Sequence, residues 1–413
     1  MIKNLILATL ICVTVFIVFM SSCSAAQFAD ETEEFVEPII PFETEALELY
    51  QIYETPETVE PIYNYSEEPE LPEDYGHEYE EEYSEESEEP EYIPFTPLIN
   101  ARELLGIIDP LLPYYSTRLS YDAARLAELY PTALSLYSIG ESVLGNEIPL
   151  LRLGSGERRI LWVGGVHGRE LVTGAYLLMI AEYYANAYYG LNDFGRFSAD
   201  EVRSLLREFT VYIIPIANPD GVDIAIANGD SNVRVDNRAT WRNNANGVDL
   251  NRNFPFDWEH NSSDTTVSNH LFFRGESAGS EPETIALMEL TKSVDFEHLV
   301  TVHVAGQVIA WRDNNNGEIP GDRELARTIS RVTGYYMRAP TAVARNGWAG
   351  GFENWFRYHF NRPGVYIAFA QSGLYHATAA NIGRFYNAEM MNWARNRYLV
   401  LEVLYDLSVE IIS

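Results

Sequence analysis

The residues of this chain best equipped for chemistry begin with His167 and Glu170, three positions apart in the stretch Ile-Leu-Trp-Val-Gly-Gly-Val-His-Gly-Arg-Glu that starts at Ile160. An apolar run that stops at two glycines reads as a strand entering a turn, so both side chains are delivered at a strand end. Imidazole nitrogen and carboxylate oxygen are ordinary zinc ligands, and a catalytic zinc takes three protein ligands and leaves a fourth position open. The pair therefore requires a third ligand from elsewhere in the chain. A His-x-x-Glu tetrapeptide recurs by chance in many proteins, so its weight depends on the residues downstream of it.

The downstream residues form a specific set. Arg242 comes directly after Trp241, Asn251 and Arg252 sit within Gly-Val-Asp-Leu-Asn-Arg-Asn-Phe, Ser-Glu-Pro-Glu-Thr at 280–284 precedes a helix-like run, and His303 closes the apolar run 299–302. In this order, from about residue 115 to the C-terminus, the motifs together resemble the zinc carboxypeptidase (carboxypeptidase A-like) family. The resemblance implies an α/β domain with a mixed sheet of about eight strands between helices. It also implies one Zn²⁺ held by His167, Glu170 and His303. Arg242 corresponds to the arginine that steadies the oxyanion of the tetrahedral intermediate, where a guanidinium aimed at developing charge is worth several kcal/mol. Asn251 and Arg252 correspond to the pair that holds the terminal carboxylate of a peptide, for which arginine supplies a planar two-pronged fork. Asp249 and Asn253 are expected to brace that turn. The segment from His303 to Trp311 is most similar to a bacterial branch that cleaves γ-D-glutamyl to diamino acid bonds in peptidoglycan peptides, although Val304 and Ala305 stand where that branch carries polar residues.

One residue departs from the pattern. The family's general base lies on a strand near the C-terminus, and the matching stretch here reads Pro-Gly-Val-Tyr-Ile-Ala-Phe-Ala from Pro363, so Ala368 stands at the base position. Its strand-face neighbours, Tyr366 and Ala370, are not carboxylates either. Glu353, in the preceding helix-like segment, is a candidate surrogate. Loss of a positioned base typically costs about 10²- to 10⁴-fold in rate. Two functions are therefore expected: a zinc metallocarboxypeptidase acting on peptide C-termini or cell-wall peptides, or a non-catalytic module that keeps zinc and peptide binding. A purely structural surface protein would leave the ligand set unexplained.

The elements that must position these residues alternate between strand-like and helix-like runs, which argues α/β. Strands are expected at 133–139, 147–153, 159–163, 209–214, 299–304 and 364–370. Helices are expected at 120–130 (with Ser120 as its N-cap), 170–189, 199–207, 283–292, 320–333, 348–356 and 381–407, and Asn218-Pro-Asp-Gly is expected to be a turn. In open α/β sheets ligands sit beyond the carboxyl ends of strands near a switch in strand order, which is where His167 and His303 fall.

Ahead of this domain, taken as 97–413, the chain has a different character. Lys3, an apolar run over 5–20 and Ser21-Ser22-Cys23 have the layout of an export signal. The run is short for a spanning helix, which needs about 20 residues. Its end resembles a bacterial lipoprotein signal, so residues 1–23 are expected to leave a lipidated Cys23 and an extracytoplasmic, membrane-anchored protein, with plain secretion as the alternative. Residues 27–96 hold 25 Asp plus Glu and no Lys or Arg, and 24–96 is expected to be a disordered tether, because self-repulsion and scarce aliphatic residues leave too little burial to offset chain entropy. Taking those acids and Lys3 out of the 61 acids and 28 bases leaves 36 and 27, so the overall charge of −33 falls to −9 for the remainder. No basic patch suggests nucleic acid, and a monomer is expected. Cys12 is the only other cysteine, so a mature chain starting at Cys23 forms no internal disulfide.

Overall fold

The computed structural model describes residues 40–41, 107–109, 114–190, 196–226, 241–260, 271–312, 318–338, 349–369 and 396–410. Its strands are β1 (Ile40–Pro41), β2 (Leu134–Glu141), β3 (Glu147–Gly154), β4 (Arg158–Val163), β5 (Phe209–Ile214), β6 (His298–Val304), β7 (Val308–Ala310), β8 (Tyr336–Arg338) and β9 (Gly364–Phe369). The helices are α1 (Ser116–Leu129), α2 (Val172–Tyr188), α3 (Ala199–Glu208), α4 (Pro219–Ile226), α5 (Pro282–Ser293), α6 (Asp322–Thr333), α7 (Phe352–Phe360) and α8 (Leu399–Glu410). The signal, Cys23 and most of the acidic segment lie outside the described residues, as does the start of the expected closing helix. Of the acidic segment only β1 is described, paired antiparallel with β2.

The strands form one mixed sheet in the order β1-β2-β3-β5-β4-β6-β9-β7-β8. The expected α/β fold is thus present, with eight strands besides the two-residue edge β1. Its middle, β5-β4-β6-β9, is parallel, and β5 and β6 are buried along their whole length. Strands covered on both faces read as continuous apolar runs, which is why they were legible. Alternate residues feed opposite faces. Ile160, Trp162, Val211 and Ile213 join the core under α1, α2, α3, α6 and α8, while Leu161, Val163, Tyr212 and Ile214 join the core under α5 and α7.

The chain passes from β4 out to β5 and then back across β4 to β6, so the strand order switches at the carboxyl end of β4. His167 lies just beyond that end. Val163 pairs with Thr301 on β6, and His303 lies two residues further along in the same direction.

Several boundaries differ from the sequence expectation. α1 begins at Ser116 rather than at Ser120, which is buried in its second turn. Its start is tied by Asp223 of α4, whose carboxylate accepts from the Ser116 backbone N–H at 2.8 Å and from its hydroxyl, a partner 107 residues away that no local pattern reveals. Asn218-Pro-Asp-Gly is the start of α4 and not a turn. Pro219 takes the first helical position, where its missing N–H costs nothing, and the Asn218 side-chain oxygen caps Gly221 N at 2.9 Å. α7 lies about four residues later than expected, entered through Gly350 and Gly351.

Candidate metal centre

The turn after β4 is built to aim two ligands. The hydroxyl of Thr173 accepts from Gly165 N at 2.8 Å and donates to the Glu170 carbonyl at 2.8 Å, tying the strand end to the entry of α2. Gly168 admits no side chain, since a Cβ there would lie 2.2 Å from the Gly221 carbonyl oxygen. Its N–H donates to the Arg242 carbonyl at 2.9 Å.

Three side chains converge in this space. His167 Nδ1 is 2.8 Å from Glu170 Oε1, His303 Nδ1 is 3.0 Å from Glu170 Oε2, and the two Nδ1 atoms are 3.1 Å apart. All three residues are buried, and their ligand atoms lie within 4.8 Å of one another. Two ring nitrogens and a carboxylate facing a single point are the donor set of a divalent cation of zinc's type, brought within reach of one centre. Burial raises the Glu170 pKa, yet the two histidines more than offset this and hold it well below the usual carboxylate range. Glu170 is therefore an anion, ready as a ligand. For His167, burial and then Arg242 lower the pKa, favouring the neutral ring that a metal needs.

Asp249 joins the metal ligands to the arginines. One carboxylate oxygen accepts from Asn251 N at 3.0 Å and stands 3.3 Å from His167 Nε2, while the other accepts from Arg242 Nε at 2.9 Å. Burial works to raise its pKa, but Arg242, Arg252 and His167 hold it far below the ordinary value. The sequence pattern assigns Asp249 only to bracing the Asn251–Arg252 turn. It does cap that turn, Leu250–Arg252, and it also orients a ligand histidine, in the manner of outer-shell carboxylates at metal sites. Only the spatial approach of residues 167, 242 and 249 could have shown this.

Arg242 Nη1 lies 3.6 Å from Glu170 Oε1, so the structure brings the expected oxyanion residue to the ligand set. Arg242 and Arg252 both flank the Phe272 ring, at 5.5 and 5.7 Å from its centroid. The Arg252 turn is fixed by Gly350, whose φ of +73° favours glycine and whose Cβ would fall 2.1 Å from the Arg252 carbonyl oxygen. Asn251 is buried, and its side-chain oxygen accepts from Phe352 N at 2.8 Å.

Ala368, the residue expected at the base position, is buried on β9 and pairs in register with His303, and its side chain is a methyl group. Two positions back, Tyr366 stacks on His303, with ring centroids 4.1 Å apart and an interplanar angle of 13°. The sequence pattern marks this tyrosine only as a non-carboxylate. Glu353 also reaches the site, but at the other edge of His303: its Oε1 is 3.6 Å from Nε2, and it is bonded to the Thr301 hydroxyl. His298, buried at the start of β6, stands at the opposite end of that strand from the ligands.

Comparison with known proteins agrees with this geometry. Residues 122–399 match the zinc carboxypeptidase family. The γ-D-glutamyl-L-diamino acid endopeptidase 1 of Lysinibacillus sphaericus is 31% identical over 258 residues, covering 60% of this chain and 63% of the relative. The carboxypeptidase N catalytic chain of Mus musculus is 29% identical over 230 residues, covering 50% of this chain and 48% of the relative. The chain thus spans between about half and two thirds of these two relatives. Among solved structures, bovine thrombin-activatable fibrinolysis inhibitor in complex with tick carboxypeptidase inhibitor superposes with a TM-score of 0.56 at 20% identity, over 74% of this chain and 99% of that one. Carboxypeptidase A from Helicoverpa armigera gives 0.55 at 17% identity, over 72% and 73%, and both likenesses are of fold. The matched segment exceeds half of the chain and contains the whole His–Glu–His set, and on that ground the chain belongs to the zinc carboxypeptidase family.

Proposed function

We propose that this protein binds peptides through their terminal carboxylate at a zinc site and hydrolyses them slowly, because the position of the general base holds Ala368. The carrying observation is the convergence of His167, Glu170 and His303 next to Arg242, which shares the Phe272 ring with Arg252, with only a methyl group opposite His303. A zinc ion held by the three ligands supplies Lewis acidity toward a water molecule and toward a peptide carbonyl. The chain's own residues do the rest. Arg252 and Asn251 hold the substrate carboxylate, and Arg242, kept in place by Asp249, meets negative charge developing on the scissile carbonyl oxygen. Proton transfer from the attacking water to the leaving amine lacks a side chain, since neither Ala368 nor Tyr366 is a carboxylate.

The second reading, a binding module without turnover, is favoured by the same alanine. Peptides ending in γ-D-glutamyl to diamino acid linkages head the test panel, because the Lysinibacillus relative is named for that bond. Hydrolysis of the panel by wild type and by Ala368→Glu separates the readings. Slow cleavage by wild type, raised about 10²-fold or more by the glutamate, supports the first. Tight peptide binding with no cleavage by either form supports the second. Ordinary cleavage by wild type with no gain from the glutamate contradicts both. We further propose export with a lipid anchor at Cys23, supported by the signal-like layout of residues 1–23.

A further inference from the structure

His303 is confined on three sides. Its Nδ1 faces Glu170 Oε2 at 3.0 Å, and Tyr366 covers its ring with centroids 4.1 Å apart. On the remaining edge, Nε2 stands 3.6 Å from Glu353 Oε1 and makes no hydrogen bond of its own among the described residues. That distance is an electrostatic contact just beyond hydrogen-bond range, and Glu353 is the carboxylate facing the ring edge. Glu353 is 4% exposed, at the second residue of α7, where the helix N-terminus favours negative charge. Its Oε1 is bonded to the Thr301 hydroxyl, while Oε2 has no hydrogen-bond partner among the described residues. Burying a carboxylate this incompletely paired is unfavourable unless another group uses its charge.

A histidine uses it on the other side of the site. His167 offers Nδ1 to the ligand cluster while Nε2 faces Asp249 at 3.3 Å. Both nitrogens of each ring face a carboxylate, Nδ1 that of Glu170 and Nε2 an outer one. Where Nδ1 and Glu170 are both given to a metal, the ring's one proton is left on Nε2, toward the outer carboxylate. Glu353 stands toward His303 as Asp249 stands toward His167.

We propose that Glu353 is a positioning residue for the metal centre: its carboxylate keeps the proton on Nε2 of His303, so that Nδ1 presents its lone pair beside that of His167. This rests on the zinc reading above. It also assigns Glu353 a role other than surrogate base, since its oxygen meets the ring edge away from the ligand cluster.

The test is zinc affinity of the full chain, measured by competition with a chromophoric chelator, together with the visible absorption of the Co²⁺-substituted protein. Wild type against the His167→Ala/His303→Ala double variant examines the zinc reading itself. A wild type without zinc overturns both the reading and this inference. With zinc bound, Glu353→Met, of similar bulk and without an acceptor oxygen, is expected to weaken affinity about 10- to 100-fold and to alter the Co²⁺ spectrum. Glu353→Gln, whose amide oxygen can face Nε2–H as the carboxylate oxygen does, is expected to recover most of that affinity. Equal affinities for wild type and Glu353→Met overturn the inference alone. So does a Glu353→Gln variant as impaired as Glu353→Met. If the methionine variant fails to fold, the glutamine variant decides, and a loss of about tenfold or more from it overturns the inference.

Discussion

At the scale of single residues, the site was legible because histidine and carboxylate belong to the few side chains that hold zinc, and a catalytic site needs three such ligands. His167 and Glu170 stand out by ligand type and strand-end placement, the family resemblance adds His303, and the structure brings the ligand atoms of all three within 4.8 Å. Asp249 was less legible, because its importance comes from its segment meeting the turn that carries His167, a contact between distant parts of the chain. Its carboxylate neutralises a buried guanidinium and faces a buried imidazole. Asp249→Ala strips Arg242 of its closest counter-charge and should therefore destabilise the protein by about 3–5 kcal/mol, measured by denaturant unfolding. A loss below about 1 kcal/mol would mean that Arg242 has a comparable second partner. Asp249→Asn can keep an oxygen toward Asn251 N and His167 Nε2 but turns an amide NH2 toward Arg242 Nε, so it should retain most of the zinc affinity and still lose stability through Arg242.

Among the elements, the central strands β4, β5, β6 and β9 were readable from nearly continuous apolar runs, and their parallel pairing carries His167, His303 and Ala368 to the carboxyl ends of those strands. The short strands β7 and β8, three residues each, carry too little pattern to be read, and α4 was hidden behind a turn-like tetrapeptide that is also a good helix start. Loop fixation is equally a matter of close approach. Gly350→Ala should cost several kcal/mol, since it combines a φ of +73° with a backbone contact at 2.1 Å, and it should also weaken binding of C-terminal peptides by displacing Arg252. Unchanged stability and binding in that variant would show that the turn tolerates a shift.

A second element-scale expectation concerns α5. Burial pushes the carboxyl of Glu283 up to about 7, although Asn244 Nδ2 at 3.0 Å and Val143 N at 3.2 Å donate to it, and Asp220 adds to the rise. Asn244 also donates to Glu281 at 2.7 Å, so two carboxylates share one amide. A carboxyl whose folded pKa exceeds its unfolded value of 4.5 stabilises the fold fully below that value. The contribution is lost as pH rises through about 7. Stability should accordingly fall over this window, by on the order of 3 kcal/mol from this group. Glu283→Gln should flatten the decline, and a wild-type stability that rises steadily from about pH 5 to 8 with no change in the variant would count against it.

For the whole molecule, charge and composition divide the chain more sharply than any motif. Deleting residues 24–96 should shift the melting temperature by only a few degrees, because the segment is acidic and poor in aliphatic residues and its described contribution to the sheet is the two-residue β1, and a larger drop would show that more of it packs on the domain. Cys23→Ser should move the protein from the membrane fraction to the soluble one, and an unchanged distribution would dismiss the lipid anchor. The account as a whole depends on one metal. Its most direct test is the zinc content of the purified, dialysed protein beside that of the His167→Ala/His303→Ala variant. About one equivalent in wild type and essentially none in the variant is the expected result, and undiminished zinc in the variant would contradict the site.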